Sequence, residues 1–372
     1  MERIFKHFLM LMLALFMCAP CINAKKLHTI GDSTQEQRAT DGSTDKRGWT
    51  QMLPQFIDAT KIVVNNRGKS GASSKSFYKE TGYWNTLVTG GSDQMQSGDL
   101  LIIQFAHNDE KTGGADGDEV KTYYNGKGDA ASASATDYRG TTPYNTYKEY
   151  LRKYINEAKA MGVKPILVGA ICRKYFKDEN NTKINAAGQH NLYQKYNIIE
   201  NDTYVVGKSM TVDDHSMDYT YQMAQVAAEY DDVPFVNLTQ GTKELYEALG
   251  DEYCTAQVFC KDDGTHPALV GATLIAQKFA QMVKDLAETE SVPGKKAVLQ
   301  ELADAVVIEN EMTFTPEALG MGDAYIGTYA KGEINVSAFG LEPSTGTVTV
   351  TADNDFEVSA DGISYGSSAE FP

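Results

Sequence analysis

The chain has 372 residues, which is long enough for more than one domain, and its hydrophobic content of 42% is sufficient to fill a sizeable core. Its formal net charge is −16 at pH 7, which argues against nucleic acid as a partner because such binding needs a basic surface. A polyanionic substrate would have to meet a local group of basic side chains instead.

The first 24 residues have the order of a secretory signal peptide. Arg3 and Lys6 precede an apolar run over residues 8–17, and Ala24 ends the segment with a small residue. The apolar run is too short to span a bilayer, and no later run is long enough. The sequence therefore predicts a secreted or periplasmic protein without membrane insertion.

Short β-rich runs alternate with helical patterns from residue 25 to about 287, which predicts a largely parallel sheet with helices on both faces. Two polar insertions, 111–141 and 174–214, are predicted to be long surface loops, the second with a hairpin around 178–181. Strands are predicted at 27–30, 61–64, 99–105, 163–168 and 233–238, and helices at 49–59, 144–161, 217–230 and 267–286. Ligands in such folds bind beyond the carboxyl ends of the strands.

The character of the chain changes after residue 287. Residues 288–312 are predicted to be a linker with a short helical stretch. Residues 313–372 alternate apolar and polar positions, which predicts part of a small β-sandwich-like module. The predicted organisation is therefore a signal peptide (1–24), a main domain (25–287), a connection (288–312) and a β-rich module (313–372).

Three cysteines follow the predicted signal peptide. Cys254 and Cys260 lie in a loop-like stretch, and an oxidising compartment would permit a disulfide between them. Cys172 follows an apolar run and is predicted to be a buried small hydrophobic residue. No Cys or His pair has the spacing of zinc ligands, so no metal is expected.

Gly31, Asp32 and Ser33 follow the first predicted strand directly. Gly31 tolerates backbone angles that other residues resist, so the turn can lift the Ser33 hydroxyl off the strand end, where an activated nucleophile must sit. Gly, Asp and Ser are also common in turns that have no catalytic role. A catalytic role for Ser33 therefore requires a base, an orienting acid and oxyanion donors from elsewhere in the chain.

The residues from Asp263 to His266 can supply the base and the acid. An Asp three residues before a His places a carboxylate within reach of the imidazole Nδ1, and this contact leaves Nε2 able to take a proton. Asp262 is the alternative acid. Asp and Thr ahead of Pro267 also fit the start of a helix, and the two roles are compatible.

Two stretches after predicted strands can supply oxyanion donors. The glycine-rich residues 68–74 can present backbone amides, or can form a flexible turn. Asn108 can offer its side-chain amide, or can act as a cap or Asx-turn residue.

With these four blocks in order, the sequence resembles the SGNH (GDSL-type) hydrolases over roughly residues 25–286, and within them the rhamnogalacturonan acetylesterases. The nucleophile, glycine, asparagine and last blocks match at Gly31-Asp32-Ser33, Gly71, Asn108 and Asp263-Gly264-Thr265-His266. Ala106 stands where relatives usually carry Gly. The closer likeness rests on Gly48-Trp49, on Gly71-Ala72-Ser73-Ser74-Lys75-Ser76-Phe77 and on Gln104-Phe105-Ala106-His107-Asn108-Asp109.

The resemblance implies a three-layer α/β/α, flavodoxin-like domain and a Ser-His-Asp esterase without a cofactor. Ser33 would attack an acetyl carbonyl, His266 would be the general base, and Asp263 would orient His266. The amides of Ser33, Gly71 and Asn108 would hold the oxyanion. The substrate implied is an O-acetylated pectic polysaccharide.

Galacturonate carboxylates need cationic partners, and four basic residues near predicted strand ends are candidates: Lys69, Lys75, Arg173 and Lys174. His107 is expected either to line the cleft or to orient its neighbours. His215 is expected to be either a sugar contact or an exposed loop residue.

Two other functions are open. A lipase- or thioesterase-like member of the same superfamily would need an apolar acyl groove, whereas the insertions here are polar. A non-catalytic carbohydrate-binding protein is the other alternative, and the intact Ser33, Asp263 and His266 argue against it.

Overall fold

The computed structural model describes residues 24–111, 139–176, 182–192, 198–200, 203–205 and 215–308, and toward the C terminus 312–315, 335–338, 348–352, 356–360 and 363–371. The predicted signal peptide, most of the first insertion and the hairpin predicted around 178–181 lie outside these residues. The chain divides into two compact units, Met1–Val307 and Ile308–Pro372.

The described part of the first unit is built on a five-stranded sheet in the order β2-β1-β3-β4-β5, with every neighbouring pair parallel. Its strands are β1 (Lys25–Ile30), β2 (Ile62–Asn66), β3 (Leu100–Ile103), β4 (Lys164–Val168) and β5 (Phe235–Val236). This is the flavodoxin-like order, and its switch point lies between β1 and β3. Because Ile30 pairs with Ile103 and Thr29 with Asn66, the turns that follow β1, β2 and β3 begin at the same edge of the sheet.

Helices cover both faces of this sheet. They are α1 (Trp49–Met52), α2 (Ser74–Lys79), α3 (Trp84–Thr89), α4 (Lys148–Ala160), α5 (Tyr219–Ala228), α6 (Leu238–Tyr253), α7 (Leu269–Thr289) and α8 (Pro293–Ala303). The side chains of β3 are fully buried and alternate between two cores, as a strand covered on both sides must. Leu101 and Ile103 pack with α2 to α5, and Leu100 and Ile102 pack with α1 and α6 to α8. The predicted three-layer α/β/α fold is confirmed.

Some elements differ from the sequence-based expectation. The helix predicted over 49–59 ends at Met52 and continues as a 3-10 turn, Leu53–Phe56, in which Pro54 takes an early position. The helix α6 follows β5 directly and is capped by Asn237, whose side chain accepts from the Gln240 N–H. The predicted connection contains α8, which starts at Pro293 and buries Val298, Leu299 and Leu302 in the core of the first unit.

The described residues of the second unit form two antiparallel strand pairs. Met312–Thr315 pairs with Asn335–Ala338, and Val348–Thr351 pairs with Ser368–Phe371. These strands agree with the predicted β-rich character, and a sandwich arrangement stays a prediction. Of the helices that the structure describes, none is both long and apolar enough to cross a membrane.

The disulfide that the sequence would permit between Cys254 and Cys260 is not formed in the structure, which holds both as buried free thiols. Cys254 begins a π-helical turn after α6, and its Sγ lies 3.6 Å from the Tyr246 carbonyl oxygen. Cys260 follows the bridge between Phe259 and Pro267, and its Sγ lies 3.4 Å from the Pro267 carbonyl oxygen. The two thiols therefore face different carbonyl groups. Cys172 is buried, as predicted.

Candidate active site

The turn after β1 presents Ser33 at the carboxyl edge of the sheet, with 8% of the residue exposed. Gly31 is required there by close packing, because a Cβ would lie 2.2 Å from Gln35 Oε1 and 2.7 Å from the Gln104 carbonyl oxygen. The turn is closed by Asp32, whose Oδ1 accepts from the backbone N–H of Thr34 at 2.8 Å.

Ser33, His266 and Asp263 form a continuous hydrogen-bonded chain. The Ser33 hydroxyl lies 2.9 Å from His266 Nε2, and His266 Nδ1 lies 2.7 Å from Asp263 Oδ2. The loop ahead of α7 brings this pair over the switch point, although His266 is 233 residues from Ser33 in the chain. A hydroxyl that donates to an imidazole, itself held by a carboxylate, is the arrangement that activates a serine for attack.

The Asp263 carboxylate is held in place by three hydrogen bonds. Its Oδ1 accepts from the backbone N–H groups of Thr265 at 2.8 Å and His266 at 3.0 Å, and its Oδ2 accepts from the His266 ring. Burial alone would raise the pKa of Asp263, but these bonds together hold that pKa well below its usual range. Asp263 is therefore ionised at neutral pH and fixes the ring orientation that leaves Nε2 facing Ser33.

Three amide groups predicted as oxyanion donors follow β1, β2 and β3. Gly71 has φ +75°, a conformation that L side chains rarely adopt. The Asn108 side-chain amide donates to the Ala72 carbonyl oxygen at 3.0 Å, which leaves its second N–H available. The backbone N–H groups of Ser33 and Gly71 donate to no acceptor within the described residues. These are the kinds of donor that stabilise a tetrahedral intermediate.

Direct hydrogen bonds fasten these three turns to one another. The Lys69 N–H donates to the Gly31 carbonyl oxygen at 2.9 Å, which joins the turns after β1 and β2. The ring of His107 lies with Nδ1 2.9 Å from Asp32 Oδ2, which joins the turns after β1 and β3. The hydrogen bond from Asn108 to Ala72 joins the turns after β2 and β3.

Asp32 and His107 form a buried pair in which only Asp32 is charged at neutral pH. Burial lowers the pKa of His107 to about 4, so its neutral ring donates from Nδ1. Burial alone would raise the pKa of Asp32, but the bonds from His107 and Thr34 lower it to about 2. The His107 side chain is only 3% exposed. Of its two expected roles, the contact with Asp32 agrees with orienting its neighbours, and a substrate contact by His107 stays a prediction.

Two further predicted substrate contacts, Arg173 and Lys75, lie at buried positions. Arg173 lies within a buried ion pair, with Nη1 2.7 Å from Glu110 Oε2, and it also donates to the His107 carbonyl oxygen. These contacts hold the guanidinium against Glu110 and His107, and a substrate contact by Arg173 stays a prediction. Lys75, in the first turn of α2, is 1% exposed and is buried for the same reason that its neighbours are, since α2 packs directly on the core.

The other basic candidates keep partly exposed side chains. Lys69 Nζ lies 5.7 Å from the centre of the Tyr83 ring, and Lys174 Nζ lies 2.6 Å from Thr255 Oγ1. The His215 side chain is 42% exposed and stacks on Tyr221, with ring centres 4.2 Å apart. Substrate contacts by these residues stay predictions.

Lys46 is a charged neighbour of the site that belongs to none of the sequence motifs. Lys46 Nζ lies 3.1 Å from Asp263 Oδ2 and 3.3 Å from His266 Nδ1. The only sequence signal is its position two residues before Gly48-Trp49, which does not reveal a contact 220 residues away. Within the described ranges, no group of three or more His, Cys, Asp and Glu side chains could hold a metal ion.

The family model for the GDSL-like lipase/acylhydrolases matches residues 27–279, which include every residue of the site described above. The chain therefore belongs to the GDSL (SGNH) lipase/acylhydrolase family. The predicted carboxylic ester hydrolase is confirmed at this level.

The chain is similar to two proteins of Bacillus subtilis (strain 168). It is 26% identical over 252 residues to the rhamnogalacturonan acetylesterase RhgT, covering 64% of this chain and 81% of that protein. It is 27% identical over 281 residues to the probable rhamnogalacturonan acetylesterase YesY, covering 75% of this chain and 99% of that protein. A solved structure of a catalytic mutant of Axe2, an acetylxylan esterase from Geobacillus stearothermophilus, aligns over 70% of this chain and 95% of that chain, with 16% identity and a TM-score of 0.43.

Proposed function

We propose that this chain is a secreted acetylesterase that removes O-acetyl groups from a pectic polysaccharide of the rhamnogalacturonan type. The observation that carries the esterase mechanism is the chain of hydrogen bonds from Ser33 through His266 to Asp263, at 2.9 Å and 2.7 Å. The pectic substrate is supported by the names of the relatives that align over most of their length.

The reaction proceeds through an acetyl-enzyme. Ser33 Oγ attacks the acetyl carbonyl carbon while its proton passes to His266 Nε2, and the amides of Ser33, Gly71 and Asn108 stabilise the oxyanion. His266 then gives the proton to the departing sugar oxygen, and the acetyl group stays on Ser33. A water molecule, deprotonated by His266, attacks this ester; acetate leaves, and the proton returns to Ser33.

The experiment that tests this function measures acetate release from acetylated rhamnogalacturonan and acetylated xylan, with hydrolysis of a long-chain acyl ester in parallel. We expect the wild-type chain to prefer the pectic substrate and Ser33→Ala to release almost no acetate from either polysaccharide. Preference for the long-chain ester would favour the lipase- or thioesterase-like alternative. Binding of the polysaccharide without release of acetate would favour a carbohydrate-binding protein.

Cationic side chains near the site provide a test of the charge of the substrate. Lys69 and Lys174 are the basic candidates whose side chains remain partly exposed. Reversing either charge, as Lys69→Glu or Lys174→Glu, should raise KM severalfold for the pectic substrate and leave KM for a neutral aryl acetate unchanged. Equal effects on both substrates would contradict a role in binding galacturonate.

Secretion rests on the order of residues at the N terminus. Cleavage after Ala24 should yield a mature chain that begins at Lys25, the first residue of β1. Sequencing the N terminus of the protein recovered outside the cytoplasm checks this expectation. Recovery of the chain in the cytoplasm with its first residues intact would contradict it.

A further inference from the structure

The loop between the turn after β1 and α1 brings a lysine against the back of the proposed catalytic pair. The backbone N–H of Arg47 donates to the Pro267 carbonyl oxygen at 2.9 Å, which fixes this loop beside the residue after His266. Lys46 then reaches Asp263 Oδ2 at 3.1 Å and His266 Nδ1 at 3.3 Å. Its side chain is 38% exposed, and that of Asp263 is 21% exposed.

We propose that Lys46 is a positioning residue that sets the pH range of the esterase, because its ammonium shares the Asp263 carboxylate with His266. The proposal rests on the proposed function, in which His266 is the general base. The Asp263 oxygen that holds the His266 ring is the same oxygen that Lys46 contacts. The lysine therefore withdraws part of the negative charge that would otherwise stabilise an imidazolium.

The direction of the effect follows from Coulomb's law. A positive charge close to the ring disfavours a second positive charge on it, so more acid is needed before the base is protonated and lost. The enzyme with Lys46 should therefore keep its activity to lower pH than the enzyme without it. Because Lys46 is partly exposed and screened by water, we expect a shift of about 0.5–1 pH unit.

Other charged and titratable groups lie near Asp263 and His266, but they do not take part in the contact between Lys46 and the Asp263 carboxylate. Within the described part of the chain, Lys46 is the only Lys or Arg whose nitrogen lies within 4.0 Å of the Asp263 carboxylate. The Arg47 guanidinium donates to the carbonyl oxygens of Thr44 and Lys46. The remaining groups are Asp45 on the same loop, Asp32 and Arg38 on the nucleophile turn, Cys260, Lys261 and Asp262 ahead of Asp263, and Lys174 and Tyr175 beside Gly264.

The test is the pH dependence of kcat/KM for a neutral aryl acetate at low ionic strength. Lys46→Met should move the midpoint of the acid limb up by about 0.5–1 pH unit, whereas Lys46→Arg should keep it near the wild-type value. Raising the ionic strength should narrow the difference between the wild type and Lys46→Met. Lys61→Met removes the same charge from a site where Nζ lies 2.7 Å from the Asp304 carbonyl oxygen, and its midpoint should not move.

Three results would overturn the proposal. The first is an unchanged midpoint in Lys46→Met, including the case in which kcat falls equally at every pH, which is the pattern of a purely structural role. The second is an equal shift in Lys61→Met, and the third is a full shift in Lys46→Arg. A different pair of results would contradict the proposed function itself: no hydrolysis of the ester by the wild type, or equal hydrolysis by Ser33→Ala. Either result would also remove the basis of this inference.

Discussion

Asp32 and Ser33 are neighbours in the chain, but their side chains face different groups. Ser33 faces His266, whereas Asp32 is fully buried and binds Thr34 and His107. A carboxylate next to a nucleophile could be mistaken for the acid of a triad. In the proposed mechanism that position belongs to Asp263, and the contacts of Asp32 link the turns after β1 and β3.

Asn108 is the proposed oxyanion donor that can be removed without changing the backbone. Asn108→Ala should lower kcat about 10²–10³-fold and change KM little, since the donor acts mainly in the transition state. Ser33→Ala should abolish nearly all activity. Steady-state kinetics on an aryl acetate measures both, with thermal unfolding as the control because Asn108 also bonds to Ala72. A kcat for Asn108→Ala equal to that of the wild type would remove Asn108 from the mechanism.

The buried neutral His107 makes stability depend on pH. Its pKa is about 4 in the folded protein against 6.5 as the ordinary value, so between these limits the unfolded chain binds a proton that the folded chain does not. Stability should therefore fall as the pH drops from 6.5 toward 4. Burial raises the pKa of Asp109 to about 7, and this acts in the opposite direction over much of the range.

His107→Asn isolates the histidine contribution, because Asn can donate to Asp32 but does not titrate. The stability lost between pH 6.5 and pH 4 should be smaller in the variant than in the wild type, by on the order of 2–3 kcal/mol. Denaturant unfolding of both proteins across this range measures the difference. Parallel pH profiles for the two proteins would show that His107 is protonated in the folded state.

At the scale of elements, the turn after β2 depends on the left-handed conformation of Gly71. Gly71→Ala should cost about 1–2 kcal/mol of stability and should also lower kcat, because the backbone N–H proposed for the oxyanion would move. A Cβ there would also meet Arg139 Nη1 at 3.2 Å.

Gly91 provides the matched control for this turn. It has φ +64°, and no atom lies within 4 Å of the position of its Cβ. Gly91→Ala should therefore carry a similar backbone cost with unchanged kcat. Kinetics and unfolding of the two variants separate strain from catalysis, and equal losses of kcat in both would contradict an oxyanion role for Gly71.

Some strands and helices could be predicted from the sequence, and others could not. Continuous apolar runs predict the strands β3 and β4, because strands buried on both faces are continuously apolar. The helix α6 gave no comparable signal, since Thr239, Gly241 and Thr242 are weak helix formers and Gly250, with φ +81°, interrupts it.

The contacts of the basic residues are harder to predict from the sequence than those of residues in short motifs. Ser33, Gly71, Asn108, Asp263 and His266 belong to motifs with defined spacing. The burial of Lys75 and Arg173 and the contact of Lys46 depend on how distant elements pack, and a position near a strand end does not contain that information. The same limit applies to the possible disulfide, because a separation of six residues does not show whether the two thiols face each other.

At the scale of the whole molecule, all residues of the proposed mechanism lie in the first compact unit, Met1–Val307. This unit contains both apolar cores, and α8 completes one of them. A chain of residues 25–307 should therefore fold and hydrolyse a neutral aryl acetate with kcat/KM close to that of the longer chain. Kinetics of the two chains side by side checks this, and loss of activity in a folded 25–307 chain would contradict it.

Covalent labelling tests whether His266 and Asp263 activate Ser33. A fluorophosphonate reacts with an activated serine hydroxyl, and peptide mapping by mass spectrometry locates the adduct. We expect one adduct on Ser33 in the wild type and almost none in a folded His266→Ala variant. Labelling of a different serine, or equal labelling of Ser33 in both proteins, would contradict it.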